Sequence, residues 1–384
     1  MPGVVMLLSN AFRPDPRVLK EAESLRNNGF EITILCWDRQ AELKAEEVLP
    51  SGVKIIRIQN IRSSYGIGAR QLVQMVLFWV SAQRFLRKIN PRIIHCHDFD
   101  TLPAGLFFGK FRHVPVIYDA HEYYVELVRP RLKGMAGRLI LEIITYLENI
   151  GARKVSAIVT VDQTLSAIYQ KRNRHVIVLG HYPIKSMAGM SNPVFSRSEI
   201  TMIYTGRLST DRGMLIYCDL LRKLIAIGVP AKLILAGSFL PESEKATFFE
   251  YTQEIIAAID YLGWVPYEKI SEIYHRADIG LAILLPEPRY VAAIPVKLFE
   301  YMANGLPVIA SKFPSISRVV EDAMCGLLID PLADIAPVAE TIAGWYKDKT
   351  IPQTLGENGR QAILNKYNWE NQVTHLASLY RTLE

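Results

Sequence analysis

Short apolar runs alternate with amphipathic stretches along the whole chain, and this alternation predicts its secondary structure. Residues 4–8 form a continuous apolar run that is typical of a buried strand. Residues 16–28 follow with apolar side chains at helical spacing, and Gly29 ends this predicted helix. The same patterns predict strands at 31–36, 54–58, 93–97, 114–119 and 157–161, and helices at 70–88, 102–110 and 135–150.

The pattern starts again after residue 180, which predicts a second domain. A cluster of proline, glycine and serine near residues 181–192 marks the joint between the two halves. The second half predicts strands at 200–204, 232–236, 261–262, 279–284, 308–310 and 326–329, with helices at 214–227, 243–258, 267–275, 296–304 and 315–322. A last helix is predicted at residues 369–383.

Strands that alternate with helices predict an α/β protein with two doubly wound, Rossmann-like domains. We place the domains at residues 1–182 and 183–365, and we expect the terminal helix of residues 366–384 to pack back on the first domain. Open parallel sheets bind ligands at the carboxyl ends of their strands, so we expect the two domains to face a deep cleft.

Composition narrows the class of protein. Half of the 384 residues are apolar and 21% are charged, which excludes a disordered or fibrous chain. The longest apolar stretch, residues 72–82, is too short to span a membrane, and residues 1–10 lack the basic flank of a signal peptide. The four cysteines lie far apart and form no Cys-x-x-Cys pair, so we expect a reducing, cytoplasmic location without disulfides.

The charge is unevenly distributed between the halves. Residues 1–180 hold 25 Lys and Arg against 16 Asp and Glu, a net charge of +9, whereas residues 181–384 hold 19 against 22, a net charge of −3. A basic first half suits an anionic partner, either a phospholipid surface or an anionic acceptor. It can also be surface charge without a function. Nucleic acid is disfavoured, because the basic residues do not interleave with aromatic residues in a known module.

Two segments of the second half carry candidate chemistry. In residues 204–213 a strand leads through a loop with Arg207 and Arg212 to the start of a helix, which places two cations beside free backbone N–H groups. That arrangement favours a diphosphate site, although both arginines can instead form ion pairs with neighbours such as Asp211. On the helix at 296–304, Lys297 can reach a phosphate and Glu300 can accept from ribose hydroxyls; the alternative is an i,i+3 salt bridge of about 0.3 kcal/mol.

Taken in order, these segments resemble the retaining GT-B glycosyltransferases of family four. The resemblance spans nearly the whole chain. It is carried by the arginine loop, by the run Pro295-Val-Lys-Leu-Phe-Glu-Tyr-Met-Ala303 with its continuation to Ala310, and by five shorter segments: Asp15-Pro-Arg-Val18, His95-Cys-His-Asp98, Tyr118-Asp-Ala-His-Glu122, Gly263-Trp-Val265 and Tyr367-Asn-Trp369.

The resemblance implies a nucleotide-sugar donor, UDP- or GDP-linked, that is a co-substrate; no cofactor and no metal are expected. It implies catalytic roles for His121, Arg207, Arg212 and Lys297. It also implies donor binding by Arg207, Arg212, Trp264, Val265, Ala293, Ile294, Lys297 and Glu300. On the acceptor side it implies Asn10, Arg13, Asp15, Arg17, His97, Asp98 and Glu122, and Glu122 is interpreted as the partner that orients His121. The acceptor and the oligomeric state are not implied.

The chain departs from the family pattern at one position. The family has two glutamates eight residues apart, but Ala292 occupies the earlier position. The backbone amides of residues 292–294 are the natural substitutes, and Glu287 is a weaker one. This departure keeps one other function open, a non-catalytic sugar-nucleotide-binding subunit of a glycosylation complex. A GT-B epimerase is a second enzyme alternative, which should keep water-activating carboxylates that are not evident here.

His95, His97 and Asp98 resemble metal ligands by residue type. The sequence shows no second cluster beside them, so we expect no metal, with His95 in the core and His97 and Asp98 at the edge of the cleft.

Basic amphipathic stretches raise the question of a membrane. Cations end the helix at 70–88, recur at Arg129, Arg131, Lys133 and Arg138, and appear again in residues 171–174. Such stretches either dock at the inner face of an anionic membrane or are the solvated rims of sheet-covering helices.

Overall fold

A computed structural model of the chain describes residues 1–13, 15–63, 69–129, 132, 134–189, 198–266, 269–291 and 293–384. The chain forms two compact units. The N-terminal unit comprises Met1–His181 together with Asn371–Glu384, and the C-terminal unit comprises Tyr182–Glu370.

The N-terminal unit is built on an eight-stranded sheet. Its strands are β1 Gly3–Leu8, β2 Glu31–Trp37, β3 Glu46–Val48, β4 Lys54–Ile58, β5 Ile93–His97, β6 Val116–Ala120, β7 Ala157–Thr160 and β8 Val176–Val178. They lie in the order β3-β4-β2-β1-β5-β6-β7-β8, and every neighbouring pair is parallel except β3 and β4. The central strands are mostly apolar because helices cover both faces of a parallel sheet.

Helices lie on both faces of this sheet. The helices of the unit are α1 Pro16–Asn27, α2 Ala69–Ile89, α3 Leu102–Arg112, α4 Tyr124–Val128, α5 Gly134–Lys154 and α6 Gln163–Gln170. A final helix, α15 Trp369–Thr382, begins in the C-terminal unit and continues in this one. Helices α2, α3, α5 and α6 share one core with alternate strand residues such as Ile94 and Cys96. On the opposite face, Tyr380 of α15 packs edge-on against Phe30, with ring centroids 5.4 Å apart.

The C-terminal unit repeats the design with six parallel strands in the order β11-β10-β9-β12-β13-β14. Its strands are β9 Ile200–Thr205, β10 Ala231–Ala236, β11 Ile259–Gly263, β12 Ile279–Ala282, β13 Val308–Ser311 and β14 Gly326–Ile329. Its helices are α7 Met214–Ala226, α8 Glu244–Tyr251, α9 Ile270–Tyr274, α10 Pro288–Val291, α11 Val296–Ala303, α12 Pro314–Ala323, α13 Ala336–Lys347 and α14 Thr350–Asn365. Two separate apolar cores fill the two faces of the sheet.

The predicted pair of doubly wound sheets is confirmed, and several element predictions are corrected. The helix predicted at 243–258 ends at Tyr251, where the Thr252 hydroxyl donates to the Phe248 carbonyl, and a 3-10 turn occupies Ile256–Ala258. The strand predicted from residue 114 begins at Val116, after Pro115, which has no N–H to donate. The alternation missed strands β3 and β8, which are short, and helices α4, α6, α10, α13 and α14.

Close packing of α11 on β12 requires a glycine. A Cβ atom on Gly280 would lie 2.4 Å from the Tyr301 ring, and no real Cβ makes so short a contact. A Cβ atom added to Gly344 in α13 would have no neighbouring atom within 4 Å, so this glycine is a matched control.

We therefore expect Gly280→Ala to lower the free energy of unfolding by about 1–3 kcal/mol through overpacking. Gly344→Ala should raise it by about 0.5–1 kcal/mol, because alanine favours the helix. Urea unfolding of both variants measures the difference. Equal effects at the two positions would contradict the packing described here.

Candidate functional site

In the C-terminal unit, the loop after β9 holds two arginines at the carboxyl end of the sheet. Tyrosine hydroxyls fix its backbone: Tyr204 donates to the carbonyl of Arg207 at 2.7 Å, and Tyr217 donates to that of Arg212 at 2.7 Å. Gly213, at φ +78°, has no room for a side chain, since a Cβ would lie 2.4 Å from the Ile283 carbonyl. Both tyrosine rings are fully buried, so the loop is preorganised.

The arginine side chains are not used in ion pairs within the described residues. Arg207 Nε donates to the Leu240 carbonyl at 2.6 Å, and Arg212 Nε donates to the Tyr290 hydroxyl at 3.2 Å. Asp211 pairs instead with Arg289 at 2.6 Å. The alternative of an ion pair with Asp211 is therefore not what the structure shows, and both guanidiniums retain donors for an anion.

Lys297 is the most unusual group of this unit. It is buried, and its Nζ has no hydrogen-bonding partner among the described residues. Nζ lies 3.4 Å from the centroid of the Tyr204 ring. Burial, and then the nearby charge of Arg212, holds the pKa of Lys297 well below its ordinary value. An anion bound here would give Nζ the missing partner and favour its charged form.

Glu300, one turn further along α11, is held by a hydroxyl network. The Tyr274 hydroxyl donates to Glu300 Oε2 at 2.7 Å and lies 3.0 Å from Thr205 Oγ1. The Thr205 amide donates to the Tyr301 hydroxyl at 3.1 Å. This network orients Glu300 toward the end of β9, and the salt bridge considered between Lys297 and Glu300 does not form.

The remaining predicted donor residues lie around the same edge of the sheet. Trp264 follows β11 and is 73% exposed, whereas Val265 and Ile294 pack against the core. Ala293 and Ile294 directly precede α11. Glu287 is exposed and lies just before α10. Ala292 lies outside the described residues, so the compensation expected for its missing carboxylate is still only a prediction.

In the N-terminal unit, a buried charge network surrounds Asp119 at the end of β6. Arg17 on α1, only 7% exposed, donates to Asp119 Oδ1 at 2.6 Å and to Glu21 Oε1 at 2.9 Å. The His181 Nε2 atom lies 2.9 Å from the same guanidinium. Arg17 was predicted on the acceptor side. Its side chain links α1 to β6 and to His181, the last residue of the first segment of this unit.

Histidines surround the other oxygen of Asp119. Asp119 Oδ2 lies 3.0 Å from His97 Nδ1 and 3.0 Å from His121 Nε2. His95, behind His97 on the same strand, stacks on the His97 ring and contacts the Tyr380 hydroxyl. His121 is 22% exposed, so it is the histidine of this group that can meet a ligand.

The charges of the network are set by these contacts. Burial disfavours ionised Asp119, but Arg17 and then His121 outweigh burial and hold its pKa well below the ordinary value. Burial and Arg17 disfavour a charged His121, but Asp119 and Asp98 outweigh them and raise its pKa. Burial, Arg17 and His121 lower the pKa of His181 to about 3. Arg17 and a charged His121 therefore both stabilise ionised Asp119.

One sequence interpretation was wrong at this point. Ligand atoms of Glu21, His95, His97 and Asp119 lie within 4.8 Å of one another, so the two histidines do have carboxylate neighbours that the sequence alone did not show. Arg17 already binds both carboxylates, and a cation beside them disfavours a metal ion.

The other predicted acceptor-side residues have varied positions. Asp15 caps α1 by accepting from the Arg17 amide at 3.1 Å, and Asn10 accepts from the Phe12 amide at 2.9 Å. Arg13 is exposed and pairs with Glu42. Asp98 follows β5 with a left-handed backbone at φ +62°, and its carboxylate lies 3.7 Å from His121 Nδ1. Glu122 is exposed, and the carboxylate that pairs with His121 Nε2 belongs to Asp119.

Sequence reasoning missed the residues that support the predicted ones: Glu21, Asp119, Tyr204, Tyr274 and Tyr290. A signal existed for two of them. Glu21 is four residues after Arg17 on a helix that faces the sheet, and Asp119 lies inside an otherwise apolar strand. The tyrosines carried no signal, because a buried tyrosine reads as ordinary core.

Comparison with known proteins gives a consistent result for both units. The family model described as Glycosyltransferase Family 4 matches residues 17–179, and the model described as Glycosyl transferases group 1 matches residues 191–362. Together they support a GT-B glycosyltransferase. The narrower subgroup with the motif Pro-x-Lys-Leu-Phe-Glu-Tyr-Met-Ala stays a prediction.

Individual relatives are distant. The chain is 28% identical over 178 residues to a lipopolysaccharide 1,2-N-acetylglucosaminetransferase of Salmonella typhimurium, a match that covers 44% of this chain and 45% of that protein. It is 20% identical to a phosphatidyl-myo-inositol mannosyltransferase of Mycolicibacterium smegmatis, covering 95% of this chain and 89% of that one. The match to the first relative therefore spans less than half of its length.

Solved structures share the fold. Anabaena HepE in complex with UDP aligns over 100% of both chains with a TM-score of 0.71 at 14% identity. At that identity the similarity shows the GT-B fold alone.

The contact between Asp119 and His121 yields a test of the charge network. Asp119→Asn removes the charge that raises the pKa of His121, so His121 should lose its proton at a lower pH, as followed by NMR of the imidazole. Stability that comes from this pair is present below the ordinary histidine pKa and is lost as pH rises through the raised one. The variant should therefore also flatten this pH dependence, besides losing about 3–5 kcal/mol by leaving Arg17 with fewer partners.

Asp162→Asn is the control, because asparagine caps α6 as well as the native aspartate does and should change stability by less than about 0.5 kcal/mol. An unchanged titration of His121 in Asp119→Asn would contradict the network.

Proposed function

Taking the chain as a GT-B glycosyltransferase, we propose that it transfers a sugar from a nucleoside diphosphate donor to an acceptor with retention of anomeric configuration. The donor binds the C-terminal unit at the end of β9, and the acceptor binds the N-terminal unit beside His121. The observation that carries the proposal is Lys297, a buried amine whose Nζ has no hydrogen-bonding partner among the residues that the structure describes. It lies beside two arginines that form no ion pair with those residues. Only an anionic ligand of high charge suits such a group.

The diphosphate assignment follows from the kind of donors present. Guanidiniums bind phosphate oxygens in a planar fork, and Lys297 adds a point charge close to the start of α11. Glu300, held by the Tyr274 hydroxyl, accepts from two vicinal hydroxyls, as a ribose offers. Trp264 presents an exposed indole for the base. HepE was solved with UDP and with UDP-glucose, which supports a nucleoside diphosphate sugar as the donor.

The acceptor assignment rests on His121 and its neighbours. His121 is partly exposed at the end of β6. The Asp119 carboxylate contacts its Nε2 atom, and the Asp98 carboxylate lies near its Nδ1 atom. A charged imidazole held this way donates to a hydroxyl or to a sugar oxygen at the reacting centre. Asn10, Arg13 and Asp15 belong to the loop after β1, at the same end of the sheet.

The chemistry proposed needs no enzyme nucleophile. The C–O bond between the anomeric carbon and the diphosphate breaks while the acceptor hydroxyl attacks the same face of the sugar. The leaving phosphate oxygen takes the acceptor proton, and Arg207, Arg212 and Lys297 stabilise the charge that develops on the diphosphate. The transferase names of the relatives favour transfer over the alternatives of an epimerase or a non-catalytic subunit.

The donor site predicts a selective loss of diphosphate affinity. Each of three substitutions, Arg207→Ala, Arg212→Ala and Lys297→Met, should lower the affinity for UDP or GDP by about tenfold or more, because a hydrogen bond to a charged group contributes about 1.5–3 kcal/mol. Binding of the nucleoside should change little. Thermal shift with nucleosides, nucleoside diphosphates and their sugars measures both, since ligand at 100 times its Kd adds about 2.7 kcal/mol of stability.

Arg276→Ala is the matched control, an exposed arginine of the same unit that pairs with Asp260. Equal weakening of nucleoside and diphosphate by the site variants, or an equal effect of the control, would contradict the assignment.

The mechanism predicts a transfer that tolerates chelators. With the donor found by thermal shift, the rate should be the same with and without EDTA, because fixed cations of the chain replace a metal at the diphosphate. ¹H NMR of the product should give the anomeric configuration of the donor. Full loss of activity with EDTA and recovery with Mn²⁺, or an inverted product, would overturn this mechanism.

A further inference from the structure

One face of the N-terminal unit is apolar where a sheet-covering helix is ordinarily polar. Helices α2, α3 and α5 lie side by side on one face of the sheet, and their inner residues, such as Phe78, Phe108 and Ala152, belong to its core. Their outer positions are also apolar. Thirteen large apolar side chains of these helices are exposed: Leu72, Val73, Val76, Leu77, Val80, Phe107, Phe111, Met135, Leu139, Ile140, Ile143, Tyr146 and Leu147. We call this set the outer apolar face.

The concentration of these side chains is the unusual feature. Scattered exposed apolar residues are normal on a soluble protein, but contiguous patches mark interaction sites. The three helices hold nearly half of the exposed large apolar side chains that the structure describes. Phe111 is 64% exposed and Met135 87%, so these side chains are not the margin of a core. The interpretation that the amphipathic stretches are simply sheet-covering helices therefore does not account for them.

Charge identifies what covers the outer apolar face. The described side chains of the three helices include eight exposed cations: Arg84, Arg87, Lys88, Lys110, Arg112, Arg138, Arg153 and Lys154. Against them stands one exposed carboxylate, Glu142. None of the eight cations forms a salt bridge with a described residue. An apolar surface bordered by unpaired cations fits an interface between acyl chains and anionic headgroups.

The position of the face agrees with such a partner. In a parallel sheet each crossover helix begins at the carboxyl end of the strands, and the exposed apolar positions of α2 and α5 lie in their first two-thirds, before residues 81 and 148. His97 and His121 lie at that same end of the sheet. Tyr146 adds an aromatic ring of the kind enriched at membrane interfaces.

We propose that the outer apolar face docks the protein on a bilayer that contains anionic phospholipid. Docking is peripheral: among the described residues, none of the helices is both long and apolar enough to cross a membrane. A second copy of this chain is a poorer occupant, because a face-to-face dimer would bring the eight unpaired cations of each copy against those of the other. The cations Arg131 and Lys133, which the sequence also associated with a membrane, lie outside the described residues.

The test measures binding to vesicles and needs no enzyme activity. Its outcome therefore does not depend on whether the proposed sugar transfer is correct. The apolar-face variant carries Leu77→Gln, Phe111→Gln, Leu139→Gln and Ile143→Gln, and all four positions are exposed. The matched control carries Ile225→Gln, Ile227→Gln, Leu332→Gln and Ile351→Gln, four exposed apolar residues of the C-terminal unit. A charge variant carries Arg84→Gln, Arg87→Gln and Lys88→Gln.

The full-length proteins are sedimented with vesicles of phosphatidylcholine, with and without phosphatidylglycerol, at low salt. We expect the native chain and the control to bind vesicles with phosphatidylglycerol. The apolar-face variant should bind them at least about tenfold more weakly. The affinity of the charge variant for these vesicles should fall by about tenfold or more, and added salt should weaken the binding of the native chain in the same way.

Several outcomes would overturn the proposal. They are no binding by the native chain, equal binding by the apolar-face variant and the control, or binding that ignores phosphatidylglycerol. A dimer in analytical ultracentrifugation that only the apolar-face variant dissociates, without vesicle binding, would assign the face to a second copy instead. If the apolar-face variant does not fold, the charge variant decides alone.

Discussion

A parallel sheet with helices on both faces leaves polar chemistry little room except at the carboxyl ends of its strands. Both units obey this constraint. In the C-terminal unit the arginine loop follows β9 and Lys297 lies in the first turn of α11 close to it. In the N-terminal unit His97 and Asp119 lie at the ends of two neighbouring strands, and His121 follows the second of them. The sites are polar clusters at the edge of otherwise continuous cores, and buried groups such as Tyr274 and Arg17 support several of their side chains.

The two clusters solve the problem of buried charge in opposite ways. Around Asp119, cations and carboxylates pair with one another, so the side chains are held in place before any ligand arrives. Around Lys297, cations outnumber the carboxylates, and burial depresses the pKa of the lysine. The first arrangement orients a group, and the second holds an unfavourable energy that a bound multivalent anion would relieve. The proposed acceptor and donor sites call for these two different properties.

The sequence predicted the fold class because hydrophobic periodicity is local, and its contiguous motifs supplied the candidate site residues. It could not predict what lies behind them. Tyr274 meets Glu300 and Tyr290 meets Arg212 across elements that are far apart in the chain, and a buried tyrosine looks the same whether or not its hydroxyl is used. For the outer apolar face, the sequence raised the possibility of a membrane from the basic amphipathic stretches. It could not show which of their apolar residues stay exposed, because periodicity marks apolar positions but not which of them the sheet covers.

Helix α15 gives the molecule a connectivity that the two-domain description conceals. The N-terminal unit is discontinuous in sequence, because Met1–His181 is completed only by Asn371–Glu384, where Tyr380 contacts His95. Two covalent crossings join the units, and the C-terminal unit is topologically an insertion within the N-terminal one. A single cut near residue 190 would leave both parts joined through α15. A fragment that ended at the first crossing would expose Phe30 and leave the His95 ring without its hydroxyl partner.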